Sequence, residues 1–365
     1  PAIYGQIGDD FAFASLMAYR FLVGDFFADT FKDEARHTRL LWGKLQDAAT
    51  INGYFLFKLP WFYIQIGQDN LRWGPGYNGT LLVSENPSPW DMFKLTAAYK
   101  PIKFDAFTAI LRNGKQKYMS GHRIEGFWGN RIGVGLSEVV VYGGRFEPSF
   151  MNPITIYLIS DLMNAPFVNI LISGDMRIRL DDIELYGELM VDDHNLGESF
   201  HAWDTKFGIL GGIYFTDPFG FPDTDVFMEY AFINQYAYTH EEPINVYKHF
   251  NSVIGHHIGS DADNLWVQLK HRFTDKWETI LTYQLERHGE GNVDKAHTED
   301  SSSEWVPLSG ITQSEHSLSF GLSYTKIGRY RFGIDYRRNW IKNMGNQRGK
   351  KAKGHEITIE GVYRF

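Results

Sequence analysis

The 365-residue sequence has no cysteine and no long apolar run. No stretch approaches about 18 uninterrupted apolar residues, which excludes a transmembrane helix. The lack of cysteine suits an envelope protein that stays unfolded in an oxidising compartment before assembly. The formal net charge of −8 argues against a nucleic acid as partner. Because the chain begins at Pro1 with neither Met nor an apolar segment, we expect any signal peptide to have been removed or to lie outside it.

Catalytic motifs are also missing. The sequence contains no Gly-x-Ser-x-Gly elbow, no phosphate-binding loop and no His-Glu-x-x-His motif. These absences predict a protein that is not an enzyme. The alternative is a hydrolase built from Ser137, Glu138 and scattered histidines, and the order of residues along the chain does not test it.

Metal sites have little support. Asp192-Asp193-His194 and the trio Asp261, Asp263 and Asn264 carry oxygen ligands that suit Ca²⁺, but both lack the spacing of a complete calcium loop. Solvated acidic turns are the favoured interpretation. His256-His257 would bind a transition metal only with partners from elsewhere. We therefore expect no cofactor, with a loop-bound calcium ion as the alternative.

Aromatic residues and glycine are abundant. The chain has 28 Phe, 20 Tyr, 10 Trp and 36 Gly, and aromatic residues make up 16% of it. Aromatic girdles at both membrane interfaces use such residues, and glycine relieves crowding where strands bend, so this composition favours a transmembrane β-barrel. The mean hydropathy of −0.31 is compatible with insertion, because a lumen lined by ionic side chains lowers the average.

Apolar and polar residues alternate with period two in several segments. The segment from His355 to Phe365 places Ile357, Ile359, Gly361, Tyr363 and Phe365 on one face. Hairpins at 168–192, 265–286 and 317–337 repeat the pattern. In a soluble sandwich the charged face would look outward. Combined with the composition, the alternation instead predicts an all-β fold, a transmembrane antiparallel up-and-down β-barrel of about 16–18 strands.

No linker divides the chain, so residues 1–365 are predicted to form a single outer-membrane β-barrel domain, with residues 1–47 the least readable. Short periplasmic turns are expected at Pro60, Pro101-Ile102, Asp181-Asp182, Thr274-Asp275 and Ile327-Gly328. Long external connections are expected near 68–91, 143–166, 238–262, 289–314 and 341–354. This asymmetry of short and long connections is typical of outer-membrane barrels.

The alternation also predicts which ionic side chains line the lumen. The predicted set is Arg177, Arg179, Arg329, Arg331 and Arg337 with Glu184, Glu188, Glu278 and Glu286. Mixed signs favour cross-strand ion pairs that hold the wall rigid. The alternative is a field that sorts charged solutes, as rings of charge do in pores.

The segment Gly67 to Gly76, which reads Gly-Gln-Asp-Asn-Leu-Arg-Trp-Gly-Pro-Gly, resembles the hallmark segment of the Wzi-type capsule assembly proteins. Later pieces are similar to further family blocks in the same order, namely Gly121-His122-Arg123, Gly135 to Glu138, Asn152-Pro153, Tyr186-Gly187-Glu188 and Gly255 to Asp263. The resemblance implies an 18-stranded outer-membrane barrel that binds exported polysaccharide and helps to hold the capsule on the cell. It also implies a periplasmic helical element in some members, for which the sequence shows no convincing helical bundle.

The family-like segment follows a strand and opens a long connection that can fold back inside the barrel as a plug. Gly74 and Gly76 permit backbone conformations closed to other residues, and Pro75 stiffens the bend. Trp73 offers a flat face for a sugar ring, and Arg72 with Asp69 can bond hydroxyls or carboxylates.

The alternative for this segment is a purely structural plug. Arg72 would then pair with a lumenal carboxylate such as Glu138 or Asp192, and Trp73 would be buried against the wall.

Arg123, Glu138 and Arg145, with His122, form a second candidate group for polysaccharide, and their alternative is a buried ion-pair network. We expect non-covalent polysaccharide binding and a part in capsule or exopolysaccharide assembly in the bacterial outer membrane. The expected partners are outer-membrane lipids, lipopolysaccharide, surface polysaccharide and other envelope or export proteins. The competing functions are a porin-like channel, a hydrolase or lipid-modifying barrel, and a structural subunit of a larger envelope complex.

Overall fold

The computed structural model describes residues 2–23, 39–42, 45–112, 116–159, 168–192, 206–297, 306–326 and 330–363. Arg329, Asp193, His194 and the predicted turn Ile327-Gly328 lie outside the described residues, as do parts of the predicted connections 143–166 and 289–314. Among the described residues, no helix has the length and apolar character needed to cross a membrane.

Antiparallel strands account for nearly all of the regular structure. They are β1 (Ala2–Ile7), β2 (Phe11–Val23), β3 (Arg39–Trp42), β4 (Leu45–Lys58), β5 (Tyr63–Asp69), β6 (Trp90–Tyr99), β7 (Ile102–Leu111), β8 (Lys117–Trp128), β9 (Ile132–Gly143), β10 (Asn169–Leu180), β11 (Ile183–Asp192), β12 (Phe207–Thr216), β13 (Thr224–Ile233), β14 (Lys248–His249), β15 (Ser252–Val253), β16 (Ala262–Arg272), β17 (Trp277–His288), β18 (Gln313–Lys326), β19 (Tyr330–Lys342) and β20 (Lys351–Tyr363). In the described part of the chain four short 3-10 turns accompany them, at Pro148–Met151, Pro218–Gly220, Pro243–Asn245 and Met344–Asn346.

The strands form an up-and-down β-barrel, as the alternation predicts. Eighteen of the described strands belong to one sheet, in which β3 is a four-residue strand beside β4, and β14 pairs only with β15. Each other strand pairs with its neighbours in sequence, and β13 pairs with β16 across the β14–β15 pair. The connections at one end are short, such as 59–62, 100–101, 129–131, 181–182 and 273–276, whereas those at the other end include 70–89 and 234–261. The short connections mark the predicted periplasmic end of the barrel, and the long connections mark the predicted external end.

The outer face of the barrel is apolar. Phe320, Phe332 and Ile359 alternate with polar neighbours and are 51%, 53% and 66% exposed. At the short-turn end, exposed aromatic side chains recur around the wall, namely Trp61, Tyr99, Trp128, Phe273, Trp277 and Tyr330. Such a row marks a membrane interface. The apolar exterior excludes the soluble sandwich.

The interior departs from the prediction of an ionic lumen. Where the plug, residues 70–89, packs on the wall, the inner faces of β8 to β11 carry the fully buried apolar residues Met119, Val139, Leu171 and Met190, together with the buried polar residues Ser173, Glu188 and Asp192. They pack on residues 70–89 and 234–261, which fold into the barrel from the end with long connections. Arg123, Asp175, Arg177 and Arg179 line a space nearer the short-turn end. Apolar packing thus contributes to holding the plug, and this ionic group lines the space beyond it.

A further segment, Pro148–Met151 with the residues up to Ile159, packs on the outer face of the wall. Phe150 and Tyr157 cover the outward side chains of Val140 and Tyr142. This covering layer explains why some outward positions of β8 and β9 are polar although the wall faces lipid.

Candidate functional site

Two buried carboxylates hold the plug to the wall. Glu188 on β11 accepts the backbone N–H groups of Leu81 and Leu82 at 3.0 and 3.1 Å, and the Ser173 hydroxyl at 2.9 Å. Carboxylates accept such charge-assisted bonds strongly when water is excluded. Glu188 was predicted to take part in a lumenal ion pair, and this prediction is wrong because backbone amides of the plug occupy its oxygens.

Glu229 on β13 has the same role and was not predicted from the sequence. It accepts the N–H groups of Tyr77 and Asn78 at 2.6 and 3.1 Å, and the Tyr186 hydroxyl at 2.8 Å. Its only signal in the sequence is one acidic residue between the apolar Met228 and Tyr230. The side chain is 2% exposed, so the plug amides compensate for its burial.

Residues 234–261, the second segment that folds into the barrel, also bind the plug through hydrogen bonds. The Tyr247 hydroxyl donates to the Leu82 carbonyl at 3.0 Å, and the Ser84 hydroxyl donates to the Gly255 carbonyl at 2.5 Å. Tyr238 donates to the Leu81 carbonyl. Because side-chain hydroxyls bond these backbone carbonyls, the plug is held in place without pairing as a strand of the barrel sheet.

Gly74, Pro75 and Gly76 form the bend that the sequence predicts. A Cβ on Gly76 would collide with the Gly79 carbonyl oxygen. The Pro75 carbonyl accepts a hydrogen bond from Arg177 Nη2 at 3.1 Å. The bend therefore depends on close backbone approach and on one lumenal arginine.

Arg177, Arg179 and Glu184 come together in the lumen beside the plug. The two arginine Nε atoms lie 3.2 and 2.6 Å from Glu184 oxygens, and the Tyr77 hydroxyl donates to Glu184 at 3.0 Å. Glu184 on β11 thus links Arg177 and Arg179 of β10 to Tyr77 of the plug. This arrangement agrees with the predicted cross-strand ion pairing at these three residues.

The remaining predicted lumenal residues have other partners. Glu278 lies 3.1 Å from Lys270, and Glu286 lies 2.6 Å from His288 Nε2. Arg331 and Arg337 line a cleft of about 280 Å³ along β16 to β20, and Arg337 is 3.8 Å from Glu356.

Asp69 ends strand β5 of the wall, and Trp73 of the plug packs against the wall. Trp73 is 4% exposed and packs edge-on against Phe107, with ring centroids 5.1 Å apart, so it offers no open face to a sugar. The buried alternative for Trp73 is the one observed. Asp69 accepts hydrogen bonds from Gln65 at 2.8 Å and Asn52 at 3.4 Å.

Arg72, in contrast, is exposed. Within the described ranges its guanidinium forms no hydrogen bond or ion pair, and Glu138 and Asp192 use their carboxylates elsewhere. Arg72 lines a pocket of about 260 Å³ together with Tyr77, Asn78, Gly79, Ser84, Glu85, Asn86 and His257. This plug pocket combines the Arg72 guanidinium with the Glu85 carboxylate, the His257 imidazole, two amides and an aromatic side chain.

Tyr77 replaces Trp73 as the available aromatic side chain. It is 37% exposed and packs on Tyr186 and Phe227, with centroid distances of 5.4 and 4.9 Å. Burial, followed by the nearby Glu184 carboxylate, raises the pKa of Tyr77 to about 12. The Tyr77 hydroxyl therefore stays protonated, and the contacts with Tyr186 and Phe227 hold the ring in place.

His256 lies behind the plug pocket. It is fully buried, its ring stacks on His257 at 4.4 Å, and a Cβ on Gly79 would lie 2.6 Å from its Cδ2 atom. Burial, with His257 and Arg72 adding positive charge, holds the pKa of His256 well below its usual range. His256 is therefore neutral, and among the described residues no group of three metal-binding side chains forms around the histidine pair.

Arg123 and Glu138 lie on opposite faces of the wall, so the predicted group is divided. Arg123 points inward and binds Asp175 through Nη1 and Nη2 at 2.5 and 3.0 Å, and Glu125 at 2.6 Å. It lines a vestibule of about 340 Å³ between the plug and the short-turn end, with Gly74, Pro75 and Arg177. Its ion pairs use its donors, so the network interpretation applies to Arg123.

Glu138 points outward beneath the covering segment. It accepts the N–H groups of Tyr157 and Leu158 at 2.9 and 2.7 Å, and lies 3.1 Å from His122 Nε2. Arg145 is 83% exposed and pairs with Glu147. The physical reason for the division is the alternation itself, which places residues of odd number on β8 and of even number on β9 on different faces.

Comparison with known proteins finds a family model that matches nearly the whole chain. Residues 5–352 match the family model described as capsule assembly protein Wzi. No curated protein matches the chain.

Solved structures support the same fold. The chain is similar to Wzi of Escherichia coli, described as an outer-membrane protein involved in group 1 capsule assembly and a carbohydrate-binding β-barrel, with 14% identity and a TM-score of 0.62 over 97% of this chain and 84% of that one. It also resembles OpdK of Pseudomonas aeruginosa, solved with vanillate, with 10% identity and a TM-score of 0.50 over 99% and 91% of the two chains. A BenF-like porin from Pseudomonas fluorescens Pf-5 gives 10% identity and a TM-score of 0.50 over 98% and 88%. These likenesses establish the barrel fold.

Proposed function

The chain belongs to the Wzi family of capsule assembly proteins, barrels of the bacterial outer membrane, and from this premise we propose that it binds a surface polysaccharide non-covalently in the plug pocket. Through this binding it takes part in capsule or exopolysaccharide assembly and attachment at the cell surface. The proposed partners also include lipopolysaccharide, membrane lipids and other envelope or export proteins.

The exposed guanidinium of Arg72 is the observation that carries the proposal. Arg72 and Glu85 are the two charged side chains of residues 70–89, and within the described residues neither forms a hydrogen bond or an ion pair; Arg72 faces the plug pocket, which Glu85 also lines. A guanidinium recognises carboxylates and hydroxyls of sugars through several parallel hydrogen bonds. The amides of Asn78 and Asn86 add donors and acceptors, and Tyr77 adds an apolar surface for ring C–H groups.

Binding without catalysis is part of the proposal. The Ser84 hydroxyl in the plug pocket donates to backbone carbonyls, at 2.5 Å to Gly255 and 3.2 Å to Ile254, so it is not activated by a base. Individual contacts with a sugar are weak. Repetition of the same unit along a polymer, and many barrels on one cell, would retain the glycan through multivalency.

A porin-like channel is the second candidate, because a cleft of about 280 Å³ whose lining includes Arg331, Arg337 and Glu360 runs along β16 to β20. Planar-bilayer conductance distinguishes the two. A binder whose plug stays in place gives small or no steady currents, whereas a channel gives large, ion-selective currents.

Surface glycan retention tests the proposed binding. In cells that carry only the variant protein, Arg72→Ala is expected to lower the cell-bound fraction of capsule and to raise the fraction released into the medium. The matched control is Arg131→Ala, since Arg131 is 72% exposed at the short-turn end. Equal retention in both variants, at equal barrel levels in the outer membrane, would remove Arg72 from the site.

A further inference from the structure

The turn between β12 and β13 has an unusual concentration of exposed apolar residues. Phe219 and Phe221 are 98% and 66% exposed, and Pro218 precedes them. The turn lies at the short-turn end, on the level of the exposed aromatic row formed by residues such as Phe273 and Trp277. It therefore stands at the membrane interface rather than in the lumen.

A groove of about 580 Å³ lies between this turn and the outer face of the wall. Its main lining residues are Ile213, Phe215, Phe219, Val226, Met228 and Leu269. The polar atoms at its edge are already engaged, because the Thr224 hydroxyl and His271 Nδ1 are hydrogen-bonded to each other at 2.9 Å. The groove consequently presents carbon atoms almost alone.

The turn is fixed in the position that leaves this groove. The Asp217 N–H donates to the Thr224 carbonyl at 2.7 Å, and the Thr224 N–H donates to Asp217 Oδ1 at 3.2 Å. The Arg272 N–H of β16 donates to the Asp223 carbonyl at 2.9 Å. Phe219 has a φ of 56°, a left-handed conformation that the surrounding bonds maintain. The aromatic side of the groove is thereby held away from the wall.

We propose that this groove binds one acyl chain of a membrane phospholipid. The wall side of the groove belongs to the lipid-facing set, since Ile213 pairs with Met228 and Val226 pairs with Leu269 across neighbouring strands. The groove is therefore continuous with the surface that acyl chains already cover. The position at the short-turn end assigns the chain to the periplasmic leaflet.

The chemistry of the groove favours an acyl chain over a polypeptide. A peptide segment entering it would bring backbone N–H and C=O groups that find no partner there, at a large cost within a membrane. An acyl chain has no such groups, and its burial against aromatic and aliphatic carbon is favourable. A second copy of the barrel would also need a complementary ridge, and its contact would depend on protein concentration.

Lipid retention after extraction tests this inference. The wild-type barrel is reconstituted in vesicles of dioleoylphosphatidylglycerol and dioleoylphosphatidylethanolamine, extracted into detergent and examined by native mass spectrometry. We expect a large fraction of the protein to keep one phospholipid. Val226→Trp fills the groove with an indole while the surface stays apolar, and it is expected to lower that fraction at least about tenfold.

Phe320→Trp is the matched control, because Phe320 faces lipid on β18 and is 51% exposed. This control is expected to retain phospholipid like the wild type. Phe221→Ser, which removes one side of the groove at an exposed position, is the second variant if Val226→Trp fails to fold, and it is expected to lose the lipid as well. Absence of retained lipid in the wild type, equal retention in a folded groove variant, or a protein dimer abolished by Val226→Trp would overturn the proposal.

Discussion

Gly74 of the plug lies in direct contact with the carboxylate of Glu188 on the wall, and a Cβ at residue 74 would come within 2.5 Å of Glu188 Oε2. Gly74 also has a φ of +127°, a backbone conformation that residues other than glycine rarely adopt. The carboxylate reaches the amides of Leu81 and Leu82 only because residue 74 has no side chain. This contact links the glycine of the family-like segment to the attachment of the plug.

Gly74→Ala should therefore loosen the plug without unfolding the barrel. The backbone strain costs about 1–3 kcal/mol, and the displaced carboxylate would weaken its amide bonds further. We expect faster protease cleavage within residues 70–89, measured on the purified barrel by mass spectrometry. Gly129→Ala is the control, since Gly129 has a φ of +59° and open space around its Cβ direction. Similar cleavage in both variants would mean that the close contact of residue 74 with Glu188 does not hold the plug.

Glu188→Gln should release the amides that Glu188 holds. The neutral side chain offers one acceptor oxygen instead of two and loses the charge-assisted bonds, each of which contributes about 1.5–3 kcal/mol. We expect hydrogen exchange at Leu81 and Leu82 to accelerate by at least about tenfold. Glu278→Gln, which alters the pair with Lys270, should leave that exchange unchanged. Unchanged exchange in Glu188→Gln would show that the apolar core of the plug is sufficient to hold it.

Glu138→Ala should detach the covering segment from the outside of the wall. Tyr157 and Leu158 would lose the acceptor of their N–H groups, while the inward-facing network of Arg123 would remain. We expect faster hydrogen exchange at residues 157 and 158 and unaltered glycan binding. Loss of glycan binding with a closed plug would show that the outer segment, and not the lumen, carries the site.

Acidification should weaken the plug through His256. Because its pKa lies well below 6.5 in the folded protein, the unfolded segment takes up a proton first as the pH falls, and stability is lost below pH 6.5. We expect protease cleavage of residues 70–89 to be faster at about pH 5 than at about pH 7.5. His256→Phe keeps a flat ring without a titrating group and should reduce this difference. His316→Phe, at an exposed position on β18, should not change it.

The period-two pattern predicted the wall well because each residue there meets only lipid or lumen. Phe320 and Phe332 face outward as predicted, and the turn Asp181-Asp182 joins β10 to β11. The pattern failed at Val139 to Tyr142, where four apolar residues follow one another and alternation disappears. There one face meets the plug and the other meets the covering segment, so both faces are buried.

The candidate site was only partly predictable for a related reason. The sequence indicated the plug, the bend at Gly74 to Gly76 and Arg72. It did not reveal that Trp73 faces the wall or that Glu229 binds amides 151 and 152 residues away, because such partners meet only in the folded barrel. Side-chain bonds to a distant backbone leave almost no trace in a local pattern.

Equilibrium binding of purified barrels to the polysaccharide of the producing cell tests the central claim most directly. The account predicts saturable binding by the wild type, at least about tenfold weaker binding by Arg72→Ala and by Tyr77→Ala, and unchanged binding by Arg131→Ala. Equal affinity of all four proteins, with the plug intact by protease mapping, would contradict a glycan site in the plug pocket.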